Sequence, residues 1–444
     1  MMRYFVVLVF ISVIGSCDTE NNFEGPGKKY FVKFYGEDGD HEGVDFVALS
    51  DGSFILLGNQ KVAGAALGQQ LYLVKVDAQG MVMWQKAFGS SGDDIARDIE
   101  LTSNGNIIIA AESQVGPNNR DVYVKLVSTD GLPLDSIRVG LKTINNLEAD
   151  EEVNSISVIQ SGFIVAGSTT AVKTQKLDKP NDIRDALHLR FNNTLDLVDP
   201  TTGLWINSTE SDNSDDVLIK VFEINSSTFY GFGYTNTLRN SKRDYKYWAF
   251  SLGATGLPGD NGIDLLDIIG SSLDDEILSN VIESPIQSGE GFVLNGVSTN
   301  GNGESQSFIV KLQKKLFAPG EDNVLNEESP TDLGNLENVD KVESRVAKQT
   351  RMTSLSQGGY LLLTNSKVLS NDKLNLSLIK LSNSFLKVGQ APVFFGGEGD
   401  DFTGSVTELP DGKIMIIGTM TLGGITGQTK MVFMKLNPQG RLAP

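Results

Sequence analysis

FFGGEGDDFTGSVTELPDGKIMIIGTMTLGGITGQTKMVFMKLNPQG, Phe394 to Gly440, holds one complete copy of the pattern that decides the fold. A Gly-acidic loop, Phe395-Gly396-Gly397-Glu398-Gly399-Asp400-Asp401, leads into a strand. An Asp411-Gly412 turn follows, then the apolar run Ile414-Met415-Ile416-Ile417-Gly418, then a second run ending in a cation, Met431-Val432-Phe433-Met434-Lys435. Asp-Gly ahead of a short apolar run is a strong hairpin cue, because Gly takes the positive φ that a tight turn demands.

Working outward from this unit, the run closed by Gly or a small residue recurs at Phe54–Gly58, Ile107–Ala111, Phe163–Gly167, Phe229–Gly233, Phe292–Gly296 and Tyr360–Thr364. Each is followed by a partner whose closing polar residue falls at 75, 125, 190, 251, 311, 380 or 435. Several units then turn at a Gly and enter a further strand, such as Met81-Val82-Met83-Trp84 or Leu204-Trp205-Ile206. Further Gly-acidic loops stand at Phe88–Asp94 and Gly270–Asp275, with Tyr35–Asp40 a looser copy. Four antiparallel strands repeated seven times, with no convincing amphipathic helix, predict an all-β protein: a seven-bladed β-propeller.

The two ends test that count. The final unit stops at Arg441-Leu442-Ala443-Pro444, where its fourth strand should begin. Tyr30-Phe31-Val32-Lys33-Phe34-Tyr35 aligns with the fourth strand of another unit, Trp84 to Phe88. The first strand is therefore expected to complete the last blade, leaving no open sheet edge. A solenoid of the same units would need atypical capping repeats, and two separate sandwiches would not need the ends to match.

Ahead of this body lie two segments of different character. Met1-Met2-Arg3 and the apolar stretch Tyr4–Ile14 form a basic and then a hydrophobic region too short to span a bilayer. They end in Ile14-Gly15-Ser16-Cys17, which resembles the lipobox of bacterial lipoproteins; that resemblance implies cleavage before Cys17 and acylation of its thiol. Cys17 is the sole cysteine of the chain, so an internal disulfide is impossible. Residues 17–29 read as a flexible acidic tether, and 30–444 as the propeller. An acidic run just after the lipidated cysteine resembles the surface-export signal of Bacteroidota lipoproteins. The repeats likewise resemble the propeller repeats of secreted Bacteroidota proteins, a likeness that covers the mature chain and implies fold rather than activity. The implied location is the outer membrane, at the cell surface or facing the periplasm.

A formal charge of −19 without a basic stripe excludes a nucleic-acid partner. The same charge repels anionic headgroups, so attachment is expected through the acyl chains alone, with the body standing off the membrane.

Candidate chemistry is sparse. The loops bearing Asp93, Asp94, Asp274, Asp275, Asp400 and Asp401 offer the oxygens that calcium prefers, although Asp after Gly at a strand start commonly bonds nearby backbone amides instead. His41 and His188 are the only imidazoles, and neither joins a nucleophile motif. No catalytic residue is assigned. With 56 acidic residues a carboxylate pair in the central pocket stays open, and with it a carbohydrate-active enzyme. The box Ser-x-Asp-x-Gly-x-x-Thr-Trp typical of sialidase propellers does not occur. Trp84, Trp205 and Trp248 sit in strand patterns and are expected to pack between blades. The inserts Lys173–Asp185 and Ala318–Lys341 are the expected contact points for a protein or glycan partner. The reading is a lipid-anchored, non-catalytic binding or scaffold propeller, with the enzyme as its alternative.

Overall fold

The computed structural model describes residues 30–442 apart from short loop segments and three longer stretches, 172–183, 254–263 and 314–349, the last interrupted only by Thr331–Asp332. Seven four-stranded antiparallel sheets form the ring. The seven apolar runs are the second strand of each blade, and the runs closing at 75 to 435 are the third. The innermost strands are Gly39–Ala48, Asp94–Leu101, Glu151–Ile159, Asp216–Asn225, Asp275–Ile286, Thr350–Ser354 and Phe402–Glu408. They define blades 1 to 7. Phe31–Tyr35 pairs antiparallel with Thr429–Leu436, Phe31 opposite Lys435 and Tyr35 opposite Met431, so the first strand is the outer strand of blade 7.

The reason for a ring lies in where the apolar side chains go. A second strand such as Phe54-Ile55-Leu56-Leu57 is apolar at every position, so both faces of its sheet must be covered. Buried side chains accordingly fall into seven clusters, and each cluster is shared by two neighbouring blades. There is no single core; there are seven interfaces, the last of which joins blade 7 back to blade 1. At that closing interface Phe433 lies 6.1 Å from the ring of Phe31, 5.1 Å from Phe46 and 5.3 Å from Phe54. Trp84 contributes between blades as expected: the blade 2 turn carrying Gly131 sits directly on its ring. Trp248 is buried within the interface of blades 3 and 4, stacked on Phe250.

Phe433 is fully buried and ties the outer strand Phe31–Tyr35 to both blades that meet there. Phe433→Ala should lower the free energy of unfolding by about 3–5 kcal/mol, read from the denaturant midpoint. A loss below about 1 kcal/mol would mean that the closing interface is not packed as described.

Candidate functional site

The Gly-acidic loops do most of their visible work between blades. Asp40, Asp93, Asp150, Asp215, Asp275 and Asp400 each accept, through Oδ1, the backbone N–H that opens the third strand of the preceding blade. The donors are Thr429, Gln69, Arg120, Arg184, Tyr245 and Leu374, at 2.7–3.1 Å. The amide bonding expected of these aspartates is therefore present, and it crosses the blade boundary. The residue after each latch is buried: His41, Asp94, Glu151, Asp216, Glu276 and Asp401. Asp94 accepts the N–H of Ser90, and Asp401 accepts those of Gly397 at 2.6 Å and Thr421 at 2.9 Å. Burial pushes Asp401 up to about 6 against the pull of these two bonds, and pushes Glu151 up to about 8. Asp274 is half-buried, its carbonyl accepting from Lys246, which pairs with Glu276 at 2.7 Å. Among the described residues no three His, Cys, Asp or Glu side chains gather as a metal-binding group.

His41 lies beside the ring of Tyr72, 5.3 Å between centroids, with its titration lowered first by burial and then by Lys430. His188 is buried in the third strand of blade 3. They sit in different blades and form no joint site. Cys17 and its tether lie outside the described residues. So do the insert Lys173–Asp185, except Arg184 and Asp185, and the insert Ala318–Lys341, except Thr331–Asp332.

The arrangement with the most chemistry is on the axis of the ring, and no motif announced it. In six of the seven innermost strands the pairing register slips by one residue, a β-bulge at Val44, Arg97, Asn154, Ile219, Ser279 and Gly404. The residue just after each slip lines a central cavity: Asp45, Asp98, Ser155, Lys220, Asn280 and Ser405. Arg351 occupies the equivalent position in blade 6, opposite Leu363. The slip also frees the amide before it for a neighbour: Gly43, Ala96, Val153 and Thr403 donate to Thr419, Asn59, Glu112 and Asn365 of the preceding blade at 2.8–3.1 Å. Six of the seven axial residues, all but Arg351, stand five positions after an aspartate that bonds the preceding blade: Asp40 to Asp45, Asp93 to Asp98, Asp150 to Ser155, Asp215 to Lys220, Asp275 to Asn280 and Asp400 to Ser405. That interval is the signal in the sequence that would have found them.

The seven positions carry two carboxylates, two cations, two serines and an asparagine, and Glu100 adds a third carboxylate. Lys220 Nζ donates to the carbonyl of Ile156 at 2.8 Å and reaches Glu100 at 3.3 Å and Asp98 at 3.4 Å. Asp98 also accepts the N–H of Ile156 at 2.9 Å, across to blade 3. Arg351 donates to the carbonyls of Gly404 and Ser279, both at 3.3 Å, bridging blades 7 and 5. Burial works against the charge of Lys220, but Asp98 and Glu100 outweigh it and hold its pKa above the usual value. Burial lowers Arg351, which Asp45 and Asp98 counter. Burial and then the repulsion of Asp98 push Asp45 up to about 7; burial raises Glu100 as well. The cavity holds about 130 Å³, and no aromatic side chain is among its lining residues.

No family model matches this chain, and no curated protein matches it. Among solved structures it is similar to the GH93 α-L-arabinofuranosidase of Fusarium graminearum in complex with arabinobiose. That match has 9% identity and a TM-score of 0.42, covering 94% of this chain and all of that one. It is also similar to extracellular domains 1–2 of Drosophila Semaphorin 1a, at 8% identity and a TM-score of 0.44, covering 92% of this chain and 88% of that one. A third match is the α-L-arabinanase of Penicillium chrysogenum, at 10% identity and a TM-score of 0.42, covering 77% and 92%. At these values the likeness bears on neither activity nor partner.

In the unfolded chain Asp45 ionises near its ordinary 3.8, whereas in the ring it does so near 7. Across that window the folded state binds the extra proton, so its stability falls as pH rises from about 4 to 7 and stays reduced above. Asp45→Asn removes the deficit and can keep the 2.8 Å bond that Oδ1 accepts from Phe46. The variant should be more stable than the parent at about pH 8, by on the order of 2 kcal/mol, and equal to it near pH 4. Thermal midpoints at the two pH values check this, and a variant less stable at pH 8 would show that ionised Asp45 is held favourably.

Proposed function

We propose that this protein is a lipid-anchored, non-catalytic binding propeller at the bacterial outer membrane, held through Cys17 and engaging a protein or a glycan. The observation that carries the reading is the axial cavity. Small-molecule sites usually enclose about 300–1,000 Å³, mostly apolar and aromatic. The axis here holds about 130 Å³, lined by serines and asparagines interspersed with charged side chains, with Lys220 bonded to two of the three carboxylates. A lysine bonded in this way neutralises carboxylates rather than leaving them to exchange protons with a substrate. Charge of both signs projecting from four blades onto one axis also suits a scaffold, because it fixes the blades against one another. Recognition then falls to the faces and rim of the ring, the surfaces that loops build on a rigid frame.

One observation favours the second reading, a carbohydrate-active enzyme. Asp45, with its pKa pushed up to about 7 by burial and then by Asp98 of the neighbouring blade, is a carboxyl kept protonated beside a second carboxyl group, and such pairs supply an acid and a base in many glycoside hydrolases. Incubating the purified full-length protein with a panel of neutral and acidic glycans decides between the two. Binding without release of reducing ends is the expected outcome. Turnover that disappears in both Asp45→Asn and Asp98→Asn would establish the enzyme and remove the scaffold reading. The anchor has its own check: mass spectrometry of the protein from membranes should find acyl chains on Cys17, and Cys17→Ala should shift the protein out of the membrane fraction.

A further inference from the structure

The turns that join the third strand to the outer strand stand on one end of the ring, opposite the Gly-acidic loops. In blades 1, 2, 3, 6 and 7 they share one geometry, the N–H of the first residue donating to the carbonyl of the fifth: Asp77 to Met81, Ser128 to Leu132, Asn192 to Asp196, Ser382 to Leu386 and Asn437 to Arg441. At the fifth position Met81, Leu132 and Leu386 are 57–64% exposed, and two residues on Met83, Leu134 and Val388 are 46–57% exposed. Val82 and Leu442 add to them. Blades 6, 7, 1 and 2 are consecutive in the ring, so these side chains make an arc; blade 7 contributes Leu442 beside Arg441 at its fifth position, and the arc ends in blade 3, where the fifth residue is Asp196. Exposed apolar residues scattered singly need no explanation; the same two turn positions apolar in blades 6, 1 and 2, with Leu442 of blade 7 between them, mark a surface that meets something.

Three observations say what it meets. The first is where the chain enters the ring. Phe31 pairs with Lys435 at this end, its ring lies against Gly80, and Lys33 Nζ rests 2.8 Å from Met81 Sδ. The chain thus arrives in the middle of the arc, and Tyr30 follows Cys17 by thirteen positions. Thirteen residues of any chain reach at most about 45 Å, and as a random coil would span about 20 Å on average. The second is local charge. Lys33, Lys86, Lys380, Lys387 and Arg441 border the arc, while Asp51, Asp77 and Asp411 of the same end are turned into their own turns or onto Lys413. Asp130 and the exposed Asp135, which follows Leu134, are carboxylates within the arc itself. Screening limits electrostatic reach to about 8 Å, so this border rather than the overall −19 is what a nearby surface feels. The third is a cleft of about 490 Å³ between blades 6 and 7, floored by Leu378 and Ile379 and rimmed by Lys380, Lys387 and Arg441. Apolar below and cationic at the lip is the form that receives an acyl chain beneath an anionic headgroup.

We propose that this arc seats on the lipid bilayer, so that the ring stands on the membrane by blades 6, 7, 1 and 2 with its Gly-acidic end facing away. The proposal rests on the acylation of Cys17 proposed above and replaces the expectation that the body stands off the surface.

The test uses the full-length acylated protein in vesicles of phosphatidylethanolamine and phosphatidylglycerol. An environment-sensitive fluorophore is attached in turn at Met83→Cys, Leu386→Cys and, on the opposite end, Asn302→Cys. Brominated lipids should quench the first two at least about threefold more than the third, as expected for side chains that enter the headgroup boundary. Met81→Asp with Met83→Asp and Leu134→Asp should abolish the difference at Leu386→Cys while the protein still floats with the vesicles. Equal access of aqueous iodide to all three positions in floating protein overturns the seat and leaves the anchor intact, and a partner protein on the arc becomes the better reading. Protein that stays in the aqueous phase with an unmodified Cys17 overturns the anchor, and the seat with it.

Discussion

Every blade of this protein has two apolar faces and no means of covering either by itself. Packing a sheet on its neighbour covers one face and leaves the next exposed, so the demand passes around the chain until it returns to its origin. Seven interfacial clusters, each drawn from two adjacent blades, are how that demand is met. Closure then rests on the join between blades 7 and 1, where Phe433 packs against Phe31, Phe46 and Phe54.

Polar residues are organised by the same circular logic. The latch aspartates and the side chains that reach the freed amides bond from one blade to the next, and the axial residues join blades too, Lys220 reaching past blade 3 to blade 2. Asp98 accepting from Ile156, and Asn280 accepting from Met352 at 2.9 Å, repeat at the axis what Asp93 and Asp400 do at the rim. A buried carboxylate is costly unless amides or cations satisfy it, and the interblade seams are where amides without a partner in their own sheet are found. This gives the acidic loops a structural role whatever else they bind.

The fold was legible because the blades repeat one local grammar, clearest in the first two and the last: a tight turn such as Asp-Gly or Asn-Gly, an apolar run, and a partner strand ending in a basic or polar residue. The placement of Tyr30 to Tyr35 in the last blade could be read from the missing fourth strand alone. The axial residues were not legible in that way, since Asp45, Asp98, Ser155, Lys220, Asn280, Arg351 and Ser405 share no chemical type. Their kinship is one of position, and a bulge that re-aims a side chain leaves no mark in composition. The fixed interval from the latch aspartates reveals them only once those aspartates are known to be equivalent. The apolar arc escaped notice for a related reason, because Met81 and Leu132 look like ordinary strand residues until they are seen to be exposed, with none of the described residues covering that end.

Closing a ring with the first strand sets an order on folding. Phe31 and Lys435 are partners about four hundred residues apart in the chain, and the strand made first must wait for the one made last. Until then Phe54 and Phe46 face an empty seam, and every intermediate is a crescent with two sticky ends. Such crescents can exchange strands with one another as readily as each can close on itself, so dilution, slow synthesis or a chaperone that shields residues 30–35 should favour solitary rings over interlocked pairs.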